Sequence, residues 1–182
     1  GRRHEPFEPP AGSGSLVYIS LGTELNKSER FFRRCVEAFG STGMRVVMAI
    51  GDSVRPGSLG PVPPTMMVRR RVPQLEVLSR ASLFITHGGM NSVNEALFYG
   101  VPMLVVPVGN DQPTVARRVE ELGLGEALDI REATPDVLRE AAMRVLSDRE
   151  CHARLSEFRQ ETRNAGGNAK AVKLIVEQLD RA

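Results

Sequence analysis

Apolar residues along the chain come in short, nearly continuous runs separated by longer mixed stretches. Leu16 to Ser20, Arg45 to Ile50, Met66 to Arg70, Leu83 to Thr86 and Met103 to Val106 have the length and β-branched character of buried strands. Between them, Ser28 to Phe39 reads as an amphipathic helix with Ser28 as its N-cap, and Gln74 to Ser79, Met90 to Tyr99 and Gln112 to Leu122 read as further helices. Glycine and proline punctuate the series: Gly51 closes the second strand, 57–64 is a loop, Gly100 and Pro102 stop one helix and Gly123 another. Glu126 to Ile130 reads as a sixth strand, followed by helices over Pro135 to Ser147, Arg149 to Asn164 and Asn168 to Leu179. Strands that are apolar throughout and alternate with helices predict an α/β fold, a doubly wound parallel sheet covered on both faces. Ligands of such sheets bind beyond the carboxyl ends of the strands. That singles out the loops at Gly22-Thr23, Gly51-Asp52, Arg71 to Gln74, His87 to Ser92 and Pro107 to Gln112.

Residues 1–15, rich in Pro, Gly and Arg, show no periodicity and read as a linker or a cut end, with one domain over 16–182. Gly12 and Gly14 precede the first strand rather than follow it, which rules them out as a dinucleotide fingerprint. Hydrophobic residues at 41% and charged residues at 25% are ordinary for a globular protein. The longest apolar run, Met103 to Val108, is far short of the roughly 20 residues of a membrane helix, and no signal segment is evident, so no membrane partner is expected. Cys35 and Cys151 are too few for a disulfide scaffold or a Cys-based zinc site and read as reduced thilos of a cytoplasmic protein. The histidines lack metal-ligand spacing, so neither a metal nor any other cofactor is expected. A net charge of +2, 5% aromatics and no Trp argue against nucleic acid. The cluster Arg69-Arg70-Arg71 reads either as a solvated strand end or as one arginine facing an anionic or planar ligand.

The most informative segment runs from Phe84 to Glu95, where a strand passes through His87-Gly88-Gly89 straight into a helix. Glycines let the backbone approach a ligand, and the free N–H groups and dipole of the helix start favour an anion. Asn91 and Ser92 fall in the first turn, where they can donate to phosphate oxygens. Glu95 lies one turn deeper on the face of Asn91, where a carboxylate suits a pair of ribose hydroxyls. The order matches a nucleotide diphosphate lying along the helix start. The competing reading is a tight turn at Gly88-Gly89 with Ser92 as a cap residue. The Walker-type lysine motif of phosphate-binding loops is absent.

Val72-Pro73-Gln74-Leu75-Glu76-Val77-Leu78, Thr86-His87-Gly88-Gly89-Met90-Asn91-Ser92, Glu95-Ala96-Leu97, Gly100-Val101-Pro102 and Asp111-Gln112, in this order and spacing, resemble the donor-binding half of a family 1 nucleotide-sugar glycosyltransferase. The similarity is to the bacterial macrolide- and flavonoid-modifying branch and extends from Leu16 to about Leu179. It implies the C-terminal half of a glycosyltransferase B fold holding a UDP- or dTDP-sugar. His87 resembles the donor to the diphosphate, and Gly89, Asn91 and Ser92 resemble its further contacts. Glu95 resembles the ribose carboxylate, and Asp111 and Gln112 the pair holding the sugar hydroxyls. Gln74 and the backbone near Val72 resemble the uracil contacts, and Thr23 a residue lining the phosphate end. Arg71 stands where the family usually has an aromatic residue stacked on the base; its planar guanidinium can stack instead.

The resemblance also implies that the acceptor pocket and a general-base histidine lie in an N-terminal acceptor domain, a partner this chain does not carry. The expected function is therefore donor binding in an inverting transfer to a small-molecule hydroxyl, inactive without that domain. The lead Gly1-Arg2-Arg3 reads as a domain taken from a longer enzyme; the alternative is a free-standing donor-binding subunit of a two-component glycosyltransferase. A sugar-nucleotide epimerase of similar fold would need catalytic carboxylates to which nothing in the sequence points.

Overall fold

The computed structural model describes residues 6–22 and 28–179. Six strands, β1 (Leu16–Ser20), β2 (Arg45–Ala49), β3 (Met66–Arg69), β4 (Leu83–Thr86), β5 (Met103–Val105) and β6 (Gly125–Ala127), form one sheet in the order β3-β2-β1-β4-β5-β6. Every pairing is parallel. The helices are α1 (Glu29–Phe39), α2 (Gln74–Leu78), α3 (Met90–Tyr99), α4 (Gln112–Glu121), α5 (Pro135–Ser147), α6 (Arg149–Asn164) and α7 (Gly167–Leu179), with a 3₁₀ turn at Pro56–Leu59.

The two-residue alternation of a strand sorts its side chains between two cores. Val17, Ile19, Val46, Met48 and Ile85 face α1 and α5, meeting Phe31, Phe32, Phe39, Leu138 and Val145. Leu16, Tyr18, Val47, Phe84 and Met103 face the other way, onto Val77 of α2, Val93 of α3, Val119 of α4 and Leu155 of α6. Because both faces are covered, the strands read as continuous apolar runs, and the expected doubly wound sheet is present.

Two local expectations are corrected. Ser28 stands at the N-cap position of α1, but its φ and ψ of −96° and 64° are not those of a capping residue and its side chain makes no capping bond. Side-chain caps occur instead at Thr134, and at Asp148, whose carboxylate accepts from the N–H groups of Glu150 and Cys151 at 2.9 and 3.0 Å. The sixth strand is Gly125–Ala127, starting one residue before the expected 126 and ending well short of 130. Residues 6–15 have no regular element, as their composition suggests, yet they are tied down. Phe7 is buried in the second core, its carbonyl accepts from Arg80, and the Gly14 carbonyl accepts from Arg45 Nε at 2.8 Å.

The strand order reverses between β1 and β4, whose last residues, Ser20 and Thr86, lie side by side in the ladder. Connections leave these two strands in opposite directions, which opens a crevice at their carboxyl ends. The turn after β4 depends on Gly88, at φ 85°, where a Cβ would sit 2.7 Å from Cγ1 of the fully buried, stiff Val105. Gly88→Ala combines backbone strain with overpacking and should lower stability by about 2–4 kcal/mol. Urea unfolding followed by circular dichroism checks this; an unchanged midpoint would show that the turn relaxes freely.

Candidate functional site

The crevice widens into an open cleft of about 580 Å³. The expected residues Arg71, Val72, Gln74, His87, Gly89, Asn91, Ser92 and Gln112 all line it. They come from the loops after β3 and β4 and the starts of α2, α3 and α4, so the fold brings together positions far apart in the chain. Asp111 is exposed at the N-cap position of α4 and outside the lining; Glu95 is also outside the lining, half-buried and bonded to Gln74, which lines the cleft. Thr23 lies outside the described residues. The lining also includes Tyr18, Ser20, Gly22, Asp52, Arg70, Met90 and Asn110, which sequence reasoning did not assign. Asp52 and Gly22 belong to strand-end loops that the parallel-sheet rule had marked. Tyr18 carried no such signal, because mid-strand it reads as core.

At the centre, α3 begins at Gly89 with extended φ and ψ of −63° and 134° and no side-chain cap. Its first N–H groups therefore face the cleft without a side-chain acceptor, an arrangement suited to an anion. The His87 imidazole is wedged between two backbone turns. A Cβ on Gly22 would lie 2.8 Å from its Cε1 and Nε2, and a Cβ on Gly89 would lie 2.6 Å from Nε2. Both positions must lack a side chain for the ring to sit there. His87 Nδ1 is buried with no hydrogen-bond partner among the described residues. Burial pushes the imidazole below its ordinary 6.5, and the Asp111 carboxylate pulls it the other way.

At one end of the cleft, Gln74 bridges three elements. Its Oε1 accepts from the Tyr18 hydroxyl at 2.9 Å, and its Nε2 donates to Glu95 Oε2 at 2.6 Å and lies 3.4 Å from Ser92 Oγ. The amide that sequence reasoning offered to a base is thus engaged inside the protein. Nearby, Arg71 pairs with Asp52 at 2.7 Å, while Arg69 is exposed and donates to the Val68 carbonyl. Of the basic cluster, then, Arg70 and Arg71 face the cleft and Arg69 is the solvated strand end. At the other end, Gln112 is 4% exposed, and its Oε1 accepts from the N–H groups of Val108 and Gly109 at 2.8 and 3.1 Å. This clamps the loop in which Asn110 takes a left-handed φ of 56°. With its carbonyl so used, Gln112 keeps its amide N–H groups as its means of contacting a ligand.

Among the described residues, no group of three or more His, Cys, Asp and Glu is placed to hold a metal ion, and no helix is long and apolar enough to cross a membrane.

The fold places the chain in a class of solved proteins: it is that of the C-terminal half of two-domain glycosyltransferases. It superposes with a TM-score of 0.90 and 42% identity on the crystal structure of the glycotransferase of kitacinnamycin, covering 98% of this chain and 47% of that one. It superposes at 0.80 and 25% identity on the glycosyltransferase VinC, solved in complex with dTDP, covering 94% and 43%. Among curated proteins it is 43% identical over 160 residues to the NDP-glycosyltransferase YjiC of Bacillus subtilis, 88% of this chain and 41% of that protein. It is 38% identical over 174 residues to the oleandomycin glycosyltransferase of Streptomyces antibioticus, 95% and 40%. Residues 33–178 match the family described as erythromycin biosynthesis protein CIII-like, C-terminal domain, and the chain belongs to that family. It spans less than half the length of these relatives.

The buried imidazole gives a pH prediction. A depressed pKa means the folded state binds fewer protons than the unfolded chain below about 6.5, so the stability linked to neutral His87 is present above that value and is lost as pH falls through the folded pKa. By NMR, the His87 ring should titrate below 6.5 in the free protein and move upward when a diphosphate is added. A free-protein midpoint above 6.5 would show that Asp111 outweighs burial.

Proposed function

We propose that this chain is the donor-binding half of an inverting glycosyltransferase that takes a sugar from a UDP- or dTDP-sugar. The observation that carries the reading is the uncapped start of α3, with His87, Asn91 and Ser92 facing the cleft and Glu95 one turn deeper. The relatives' names, an NDP-glycosyltransferase and a dTDP complex, support the same donor class.

In this reading the diphosphate lies against the α3 N-terminus, where backbone N–H groups, Asn91, Ser92 and the His87 imidazole donate to its oxygens. The ribose hydroxyls face Glu95, and the base lies between Val72 and the Arg71 guanidinium. The sugar reaches toward Gln112 and Asp111. A base in the acceptor half removes the proton of an acceptor hydroxyl, whose oxygen attacks the anomeric carbon. The bond from that carbon to the diphosphate oxygen breaks with inversion, and its electron pair leaves with the nucleoside diphosphate. The α3 dipole and His87 stabilise that developing charge. The nucleotide sugar is a substrate, and the reading calls on no cofactor. Small-molecule natural products are the acceptor class suggested by the oleandomycin relative. The two free cysteines are both buried, consistent with a reducing, cytoplasmic setting.

The 182 residues should bind UDP with a dissociation constant on the order of tens of micromolar to millimolar, since only one wall of the cleft is present. His87→Ala should weaken that binding by roughly 1–3 kcal/mol, the value of a charge-assisted hydrogen bond. Titration calorimetry measures both, and no heat at millimolar UDP would sink the donor-site reading. The chain alone should give no glycosylated product when offered UDP-glucose and a macrolide or flavonoid. Product by mass spectrometry at rates ordinary for glycosyltransferases would place the general base within these residues.

A further inference from the structure

Tyr18 occupies the middle of β1, 1% exposed, with its ring stacked on Phe84 of β4 at 4.7 Å between centroids and 8° between planes. The ring is thereby locked by packing, and its hydroxyl reaches up to the floor of the cleft. The hydroxyl bonds Gln74 Oε1 at 2.9 Å, and Gln74 Nε2 bonds Glu95 Oε2 at 2.6 Å. The direction of each bond follows from the groups themselves. A carboxylate can only accept, so the amide NH₂ must face Glu95. The amide carbonyl then faces Tyr18, and the phenol must donate. The result is one directed chain, from β1 through α2 to α3, across sequence separations of 56 and 21 residues. Bonds that run in one direction polarise each other and strengthen the whole.

We propose that Tyr18 and Gln74 are positioning residues that hold the Glu95 carboxylate in the orientation that reads a nucleotide's ribose. The proposal rests on the donor-site reading above and goes beyond it in naming what makes Glu95 selective. Glutamate has three side-chain torsions, and an exposed one samples many orientations at little cost. Bonded to Gln74, it presents a fixed edge. An ionised carboxylate has about four acceptor sites, so it can accept from Gln74 and from a vicinal diol at once. Tyr18 acts one bond further back. Without its hydroxyl the Gln74 carbonyl loses that donor, the amide can turn, and its bond to the Glu95 carboxylate is weakened.

The test compares UDP, 2′-deoxy-UDP and inorganic pyrophosphate, titrated by calorimetry into the 182-residue chain and into Tyr18→Phe and Gln74→Leu. Tyr18→Phe removes only the hydroxyl and keeps the stack on Phe84, and Gln74→Leu removes both hydrogen-bonding ends of the amide. Thermal melts identify which variants are folded, and either one alone decides the question. The unsubstituted chain should prefer UDP over the deoxy ligand by about five- to tenfold, the value of one hydrogen bond. In the variants that ratio should fall to within about twofold of unity, and Tyr18→Phe, which keeps Gln74 and its contact with Ser92, should leave pyrophosphate affinity unchanged. A purely structural role would weaken all three ligands together and leave the ratio intact, and that outcome overturns the proposal while the donor-site reading stands. If the unsubstituted chain binds pyrophosphate but shows no preference for UDP over its deoxy form, both the role of Glu95 and the proposal fall. If it binds no UDP, the donor-site reading falls with them.

Discussion

A parallel sheet must place all its strand ends on one edge, and the reversal of strand order between β1 and β4 makes that edge a crevice rather than a flat rim. Every polar group of the cleft is positioned by this constraint. Ser20 and Thr86 finish their strands side by side, so the chain segments beyond them, Gly22 and His87, are forced into contact. The helix that follows β4 then starts at the crevice with its N–H groups pointing into it. A helix start suited to an anion follows from the topology, and the side chains around it shape the cleft.

Positions along α3 differ electrostatically. Its start presents backbone N–H donors and the positive end of the helix dipole, with Arg70 and Arg71 elsewhere in the lining. One turn deeper, Glu95 introduces a carboxylate, separated from the helix start by the first turn of α3. Such an arrangement would repel a phosphate placed at Glu95 and favour it at the helix start, which would give a bound phosphate ester a direction as well as an affinity. The two carboxylate contacts nearby are unequal in worth. Arg71 and Asp52 are mostly solvent-exposed, and such pairs contribute about 0–1 kcal/mol. The Gln74–Glu95 bond is part-buried and continues a hydrogen-bonded chain, so it holds geometry in a way an exposed pair does not.

Chain coverage shapes how the chemistry divides. The chain matches less than half of each relative's length, and in the donor-site reading proposed above its residues hold the nucleotide sugar. Charge stabilisation at a leaving group requires rigid donors, and the cleft offers rigid groups in the backbone of a helix start and in a histidine confined by two glycines. Gln112 serves the same end by pinning the loop before α4 through its own carbonyl.

Strand and helix positions could be read almost directly from the chain because both faces of the sheet are buried. Runs such as Leu83 to Thr86 are buried at every position and apolar up to the final threonine, and their boundaries agree with the structure to within a residue or so except at β6, an edge strand with no fully buried residue. The His87-to-Glu95 segment was equally readable, since a helix start is a local feature whose donors and side chains lie within a turn of one another. The partners of those side chains were not readable. Tyr18 looks like any core aromatic, and only the sheet's packing turns its hydroxyl toward Gln74. The commitment of Gln112 to its own loop and the pairing of Arg71 with Asp52 depend in the same way on how separate elements meet. Local order follows from periodicity and backbone chemistry along the chain. Which hydrogen bond each polar side chain makes is decided by distances between segments, and those exist only once the sheet and its covering helices have assembled.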